Sequence, residues 1–145
     1  MKVNNAVIAS AMRIYLTHCS KVKEATLEGT NIAVTPDKLY TGLGIQQFMN
    51  QCKKEGVNWG ILSDLYGIYL SHDCQIWYDK HPDTVTPGEE ALVIQDFDQT
   101  LNRYDEIYFC VRPKTFHPFY ARVLNKTALA DKVRLFQNID DIRFP

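Results

Sequence analysis

The sequence predicts a three-layer, Rossmann-like α/β domain built on a mostly parallel, four-stranded sheet. Three observations predict it. Apolar, β-rich runs alternate with stretches of helical periodicity, the order of a parallel sheet covered on both faces. The 145 residues are 46% hydrophobic and 23% charged, which suffices for one domain with a sizeable core. No heptad or fixed-length repeat recurs, so a coiled-coil rod, a collagen-like repeat and a disordered tail are excluded.

The elements follow in order. Residues 1–11 faintly mimic a signal peptide, but their apolar part is too short, and they read as a dispensable extension. Arg13-Ile14-Tyr15-Leu16-Thr17-His18 is the first strand. Residues 21–41 are polar, contain Gly29 and Pro36, and read as a long loop with at most a short element; such a loop is usually functional or covers something. A first helix runs from about Gly42 to Glu55, with Ile45, Phe48, Met49 and Cys52 on one stripe and Gly56 closing it. Trp59 to Ser63 is a second strand, ending at Asp64-Leu65-Tyr66-Gly67, and residues 68–85 read as irregular.

Thr86-Pro87-Gly88-Glu89 is the clearest local signal, a capping Thr, a Pro at the first helical position and a Glu at the third. The helix it opens carries Ile94, Phe97, Leu101 and Tyr104 on its apolar face, with Glu90, Gln95, Asp98 and Asn102 on its polar face. Ile107 to Val111 is a third strand, apolar enough for burial on both faces, and Pro113 ends it. Thr115 is the expected cap of a third helix running to about Asn125, and Val133 to Phe136 is a last, edge strand. Right-handed crossovers bring all strand C-termini to one rim, and a strand order of 2-1-3-4 makes the loops after strands one and three the switch point.

Three loops meet on that rim, and they carry the chemistry. The first and third supply Lys21, Lys23, Arg112 and Lys114, with Ser20, Thr115 and His117 beside them. Such a group suits a phosphate, a carboxylate or a nucleic-acid backbone. The middle loop adds Ser63, Asp64 and Tyr66, where the acid and the phenol suit a ribose or a base. The competing reading is a set of solvated loop charges. Cys19, next to Lys21 and Lys23, is a candidate nucleophile; lacking a base partner, it reads better as a small packed residue.

Several classes drop out. No CxxC pair occurs among Cys19, Cys52, Cys74 and Cys110, and His72-Asp73-Cys74 falls short of a metal set, so neither metal nor cofactor is expected. GxGxxG, Walker A, GxSxG and HExxH are absent; Gly42-Leu43-Gly44 reads as a helix start. A net charge of −1 argues against an electrostatic nucleic-acid coat protein. Reduced, buried thiols and the absence of any membrane-length apolar stretch suit a cytoplasmic protein.

Taken together, Cys19-Ser20-Lys21-x-Lys23, Leu39-Tyr40-Thr41-Gly42, and Trp59-x-Ile61-Leu62-Ser63-x-x-Tyr66-Gly67-Ile68 followed by Tyr78-Asp79 resemble the DUF6884 family of small bacterial, archaeal and phage domains. That family is distantly similar to the YaaA peroxide-stress proteins and to a C-terminal domain of archaeal transfer-RNA-modifying enzymes. The resemblance spans roughly residues 13–125. It implies a compact α/β domain whose Cys-Ser-Lys and Leu-Ser-x-x-Tyr-Gly loops form a shared site, with nucleic-acid or nucleoside-type ligands and no carried-over reaction. Asp64-Leu65 departs from the Ala-Lys or Ala-Glu usual there, and the acid argues against a purely phosphate-binding loop.

The expected function is therefore binding of a nucleotide, nucleoside or nucleic-acid phosphate group at the strand ends. Any chemistry would fall at a glycosidic bond, with Asp64 stabilising an oxocarbenium-like centre or activating water. The alternative is a non-catalytic interaction or homo-oligomer-forming module using exposed aromatics such as Trp77 and Phe119.

Overall fold

The computed structural model describes residues 11–143. The proposed dispensable extension, Ala11 apart, lies outside them. Five strands form one sheet: β1 (Arg13–His18), β2 (Asn58–Ser63), β3 (Gly67–Leu70), β4 (Glu106–Cys110) and β5 (Val133–Phe136). Their order is β3-β2-β1-β4-β5. β1 pairs in parallel with both β2 and β4, β4 pairs in parallel with β5, and only β3 runs antiparallel.

The four predicted strands keep their predicted relative order, but the sheet has a fifth strand that the sequence reading lacked. Asp64, Leu65 and Tyr66 form a tight reversal rather than the start of an irregular region, and Gly67, at φ 73°, opens the return strand. Ser63 makes that reversal: its Oγ accepts from the amides of Leu65 at 3.1 Å and Tyr66 at 3.0 Å, a local turn that serine favours.

Among the described residues, four α-helices complete the fold: α1 (Pro36–Leu39), α2 (Leu43–Glu55), α3 (Pro87–Leu101) and α4 (Pro118–Lys126). Helix α2 buries the predicted stripe of Ile45, Phe48, Met49 and Cys52, and Gly56 ends it in the left-handed conformation. Sheet order reverses at β1, so right-handed crossovers set α2 on one face and α3 with α4 on the other. Leu16, Ile61, Ile107 and Phe109 fill the core between these layers.

The full capping box at Thr86 and Glu89 forms as read from sequence. Two other helix expectations need correction. Glu90 is buried, not on a polar face, because Arg122 at 2.7 Å and Lys126 at 3.0 Å reach across from α4 to its carboxylate. Tyr104 follows the end of α3 rather than belonging to it, though it is buried.

Thr115 does not cap α4. His117 does, its Nδ1 accepting from the Phe119 amide at 2.9 Å, with Pro118 at the first helical position. Pro's preference for that position is the signal that would have placed the cap two residues later.

The 21–41 loop is a cover, as expected. The Lys23↔Tyr40 bridge closes the loop on itself, the Val34↔Gln75 bridge pins it to the segment after β3, and Leu39 and Tyr40 are wholly buried. Phe119 is also wholly buried and Trp77 packs against the core, so neither forms an exposed aromatic surface for a partner chain. All four cysteines are free thiols. Among the described residues, no helix is long and apolar enough to cross a membrane.

Candidate functional site

The parallel strands end on one rim, and a cleft of about 450 Å³ opens there. From the loop after β1 come Cys19, Ser20 and Lys21; from the end of β2, Asp64; from the segment after β4, Arg112, Thr115 and His117. The three reversals therefore share one edge, as the sequence reading required.

Arg112 ties the first and third together. Its Nε donates to Thr17 Oγ1 at 3.2 Å, while Nη2 donates to the main-chain oxygen of His18 and, at 3.5 Å, to that of Cys19. The planar guanidinium satisfies carbonyls at the end of β1 that have no further strand partner. Its Nη1 faces the start of α2, where a Cβ on Gly44 would lie 3.7 Å from it.

That helix start is a wall of the cleft which sequence reasoning missed. Gly42 provides no side-chain cap, and Gly42, Leu43 and Gly44 line the opening. The Ser20 and Arg112 side chains pack against Gly42 and Gly44, 3.4 Å from where Cβ atoms on these glycines would stand, an ordinary van der Waals distance. The positive end of a 13-residue helix thus meets Lys21 and Arg112. Gly42-Leu43-Gly44 carried the signal, but no strand precedes it directly, so no known glycine motif fits.

Asp79, Lys80, His81 and Pro82 form the opposite rim and were likewise unforeseen. The segment is fastened by His117 Nε2, which donates to Asp83 Oδ1 at 2.6 Å, and by the Lys80–Glu89 pair at 3.3 Å.

The floor is a small polar cluster. The Cys19 thiol donates to Asp64 Oδ1 at 3.6 Å, and its sulfur lies 3.0 Å from the Tyr120 hydroxyl. Burial, with the Asp64 charge adding to it, pushes the thiol up to about 11, so it stays protonated at neutral pH. A neutral thiol is a hydrogen-bond donor here, not a nucleophile. Burial also raises the Asp64 carboxyl above its ordinary value, opposed by the Cys19 thiol and by the charges of Lys23 and Lys80.

The remaining sequence candidates have other surroundings. Lys23 lies over the Tyr78 ring at 4.3 Å, behind the floor, and burial lowers its pKa. Ser63 is enclosed, holding the β2–β3 turn and meeting the Tyr78 hydroxyl at 3.0 Å. The Tyr66 hydroxyl donates to the Ile76 carbonyl at 2.8 Å, and its ring packs edge-on against Tyr69 and Tyr78. Lys114 is exposed and does not line the cleft. His18 meets Thr115 Oγ1 at 2.8 Å rather than Cys19, and its ring stacks on Tyr120. Among the described residues, no group of three His, Cys, Asp or Glu side chains is arranged to hold a metal.

No protein-family model matches the chain, and neither a curated protein nor a solved structure matches it.

Proposed function

We propose that the strand-end cleft binds the phosphate group of a nucleotide or nucleoside phosphate, and that Asp64 acts on the glycosidic bond of that ligand. The observation carrying this reading is the meeting of Lys21, Arg112 and the uncapped start of α2 on one wall, above a buried carboxylate. Charge-assisted donors and helix amides lining one cleft suit a phosphate monoester. A volume of about 450 Å³ accommodates a sugar phosphate. The resemblance to the DUF6884 family supports the same ligand class, since its two shared loops are those that frame the floor.

In hydrolysis, Asp64 takes a proton from water as the oxygen bonds to the anomeric carbon. The bond to the base breaks, and the base leaves with a proton from solvent. Cys19, whose sulfur rests against the Tyr120 hydroxyl, donates to the carboxylate from beneath. The exposed Lys21 has a direct part in binding, whereas Arg112 both shapes the loop and offers Nη1.

The experiment is thermal unfolding against a panel of nucleoside 5′-monophosphates, free nucleosides and ribose 5-phosphate. The reading expects phosphorylated ligands to raise Tm and their unphosphorylated partners to do so far less. Folded protein with no shift at millimolar ligand would overturn it.

A further inference from the structure

A second cleft of about 350 Å³ adjoins the first, and the two share Asp64 and Lys80. Its character is different. Beyond the shared pair, the first cleft gathers Lys21 and Arg112, whereas the second has apolar walls from Leu65, Tyr66, Leu92 and Val93 and an acidic edge from Asp96 and Glu89. Leu65 and Leu92 are 45% and 65% exposed beside it.

The acids in this cleft are not equivalent. Glu89 Oε1 already accepts from the Thr86 amide at 3.0 Å and pairs with Lys80 at 3.3 Å. Asp96 Oδ2 accepts from the Ile68 amide at 2.7 Å, which fixes the carboxylate, and its Oδ1 has no partner among the described residues. A rigid carboxylate oxygen between aliphatic walls is complementary to a flat, apolar ring carrying N–H donors.

We infer that the second cleft is the base subsite: an amino-bearing heteroaromatic base lies between Leu92 and the Leu65–Tyr66 turn and donates its exocyclic N–H to Asp96. This rests on the reading of the first cleft as a phosphate site, and it orients the ligand. The phosphate lies at the start of α2, the base lies toward α3, and the bond between sugar and base crosses the shared residue, Asp64. The anionic end matches Lys21 and Arg112 of the first cleft, and the donor-rich apolar end matches the leucines and Asp96 of the second.

The test compares three probes by titration calorimetry: ribose 5-phosphate, purine riboside 5′-monophosphate and adenosine 5′-monophosphate, the last two differing only in the exocyclic amine. The wild-type protein is expected to bind the adenosine compound about tenfold tighter than the purine riboside compound, the usual size for a hydrogen bond to a charged acceptor. Asp96→Asn, whose amide oxygen still serves the Ile68 N–H, is expected to remove that preference. Leu92→Arg, at an exposed helix position, is expected to weaken the adenosine compound while leaving ribose 5-phosphate unchanged. Equal affinity of the two nucleotides in wild-type protein, or an unchanged adenosine affinity in Leu92→Arg, would overturn the base subsite and leave the phosphate site standing. Failure of all three probes to bind folded protein would overturn both.

Discussion

The Cys19 thiol lies 3.6 Å from Asp64 Oδ1 across 45 positions of sequence, joining the end of β1 to the end of β2. The contact makes the two loops one floor, and it decides what the cysteine does. A thiol raised to about 11 and donating to a carboxylate is held inert. Native protein at pH 7.5 is expected to take up iodoacetamide at the exposed Cys74 alone, with Cys19, Cys52 and Cys110 labelled only after unfolding. Peptide mapping reads the sites; rapid labelling of Cys19 in folded protein would restore the nucleophile reading.

Asp64 is expected to be separable from binding. Asp64→Asn keeps the shape of the floor and removes the group that takes a proton. Release of free base from a bound nucleotide, followed by chromatography, is expected to fall by at least about 100-fold, the usual scale of general-base catalysis. Affinity should change little. Undiminished release in the variant would remove Asp64 from the chemistry.

His18 gives the fold a pH signature. Its ring is wholly enclosed, with Nε2 on Thr115 and Nδ1 without a partner. Burial, reinforced by the Arg112 charge, pushes its pKa down to about 3, against about 6.5 in an unfolded chain. Between those values the unfolded state binds the extra proton, so stability rises with pH and is lost on acidification below about 6.5. Denaturant unfolding is expected to show about 2 kcal/mol lost from this group between pH 7 and pH 5. His18→Phe keeps the stack on Tyr120 and Phe109 and is expected to flatten the profile over that range. An equally steep profile in the variant would assign the effect elsewhere.

Arg112→Lys is expected to cost about 3 kcal/mol in unfolding free energy. An ammonium cannot reach Thr17, His18 and Cys19 together as the guanidinium does. A loss below about 0.5 kcal/mol would mean that solvent replaces these bonds freely.

Gly67→Ala is expected to destabilise the protein by about 2 kcal/mol and to loosen β3. The left-handed φ of 73° disfavours any side chain, and a Cβ there would overlap the Asp96 carboxylate that accepts from Ile68. Hydrogen exchange at Ile68 reads the local effect, and unchanged protection would contradict it.

Which parts of this were legible depends on the range of the forces involved. Helix α2 could be read because Ile45, Phe48, Met49 and Cys52 repeat at helical spacing and need no partner to be recognised. β1, β2 and β4 were legible as apolar runs of strand length. β3 was not, because Gly67-Ile68-Tyr69-Leu70 is short, starts at a glycine and does not alternate; its identity comes from pairing with β2. Glu90 looked like a surface acid because its partners, Arg122 and Lys126, stand more than 30 residues away on another helix.

The site divides in the same way. Cys19–Lys21, Asp64 and Arg112–His117 follow from where parallel strands end, a rule of topology that sequence order reveals. The Lys80–Pro82 rim does not, since it is placed by the long-range His117–Asp83 bond. Tyr120 carried no signal in the sequence, and only the fold turns its hydroxyl to Cys19. Tyr66 and Ser63 lie at a strand end like the others, but the β2–β3 turn engages the Ser63 hydroxyl and the Ile76 carbonyl that of Tyr66.

The most direct test of the phosphate site is a calorimetric titration of a nucleoside 5′-monophosphate and its unphosphorylated nucleoside against wild-type protein and Lys21→Ala. The account predicts that the monophosphate binds wild-type protein at least about tenfold tighter than the nucleoside, with Lys21→Ala erasing most of that gap. Equal affinities for the two compounds, or a gap that survives intact in Lys21→Ala, would contradict it.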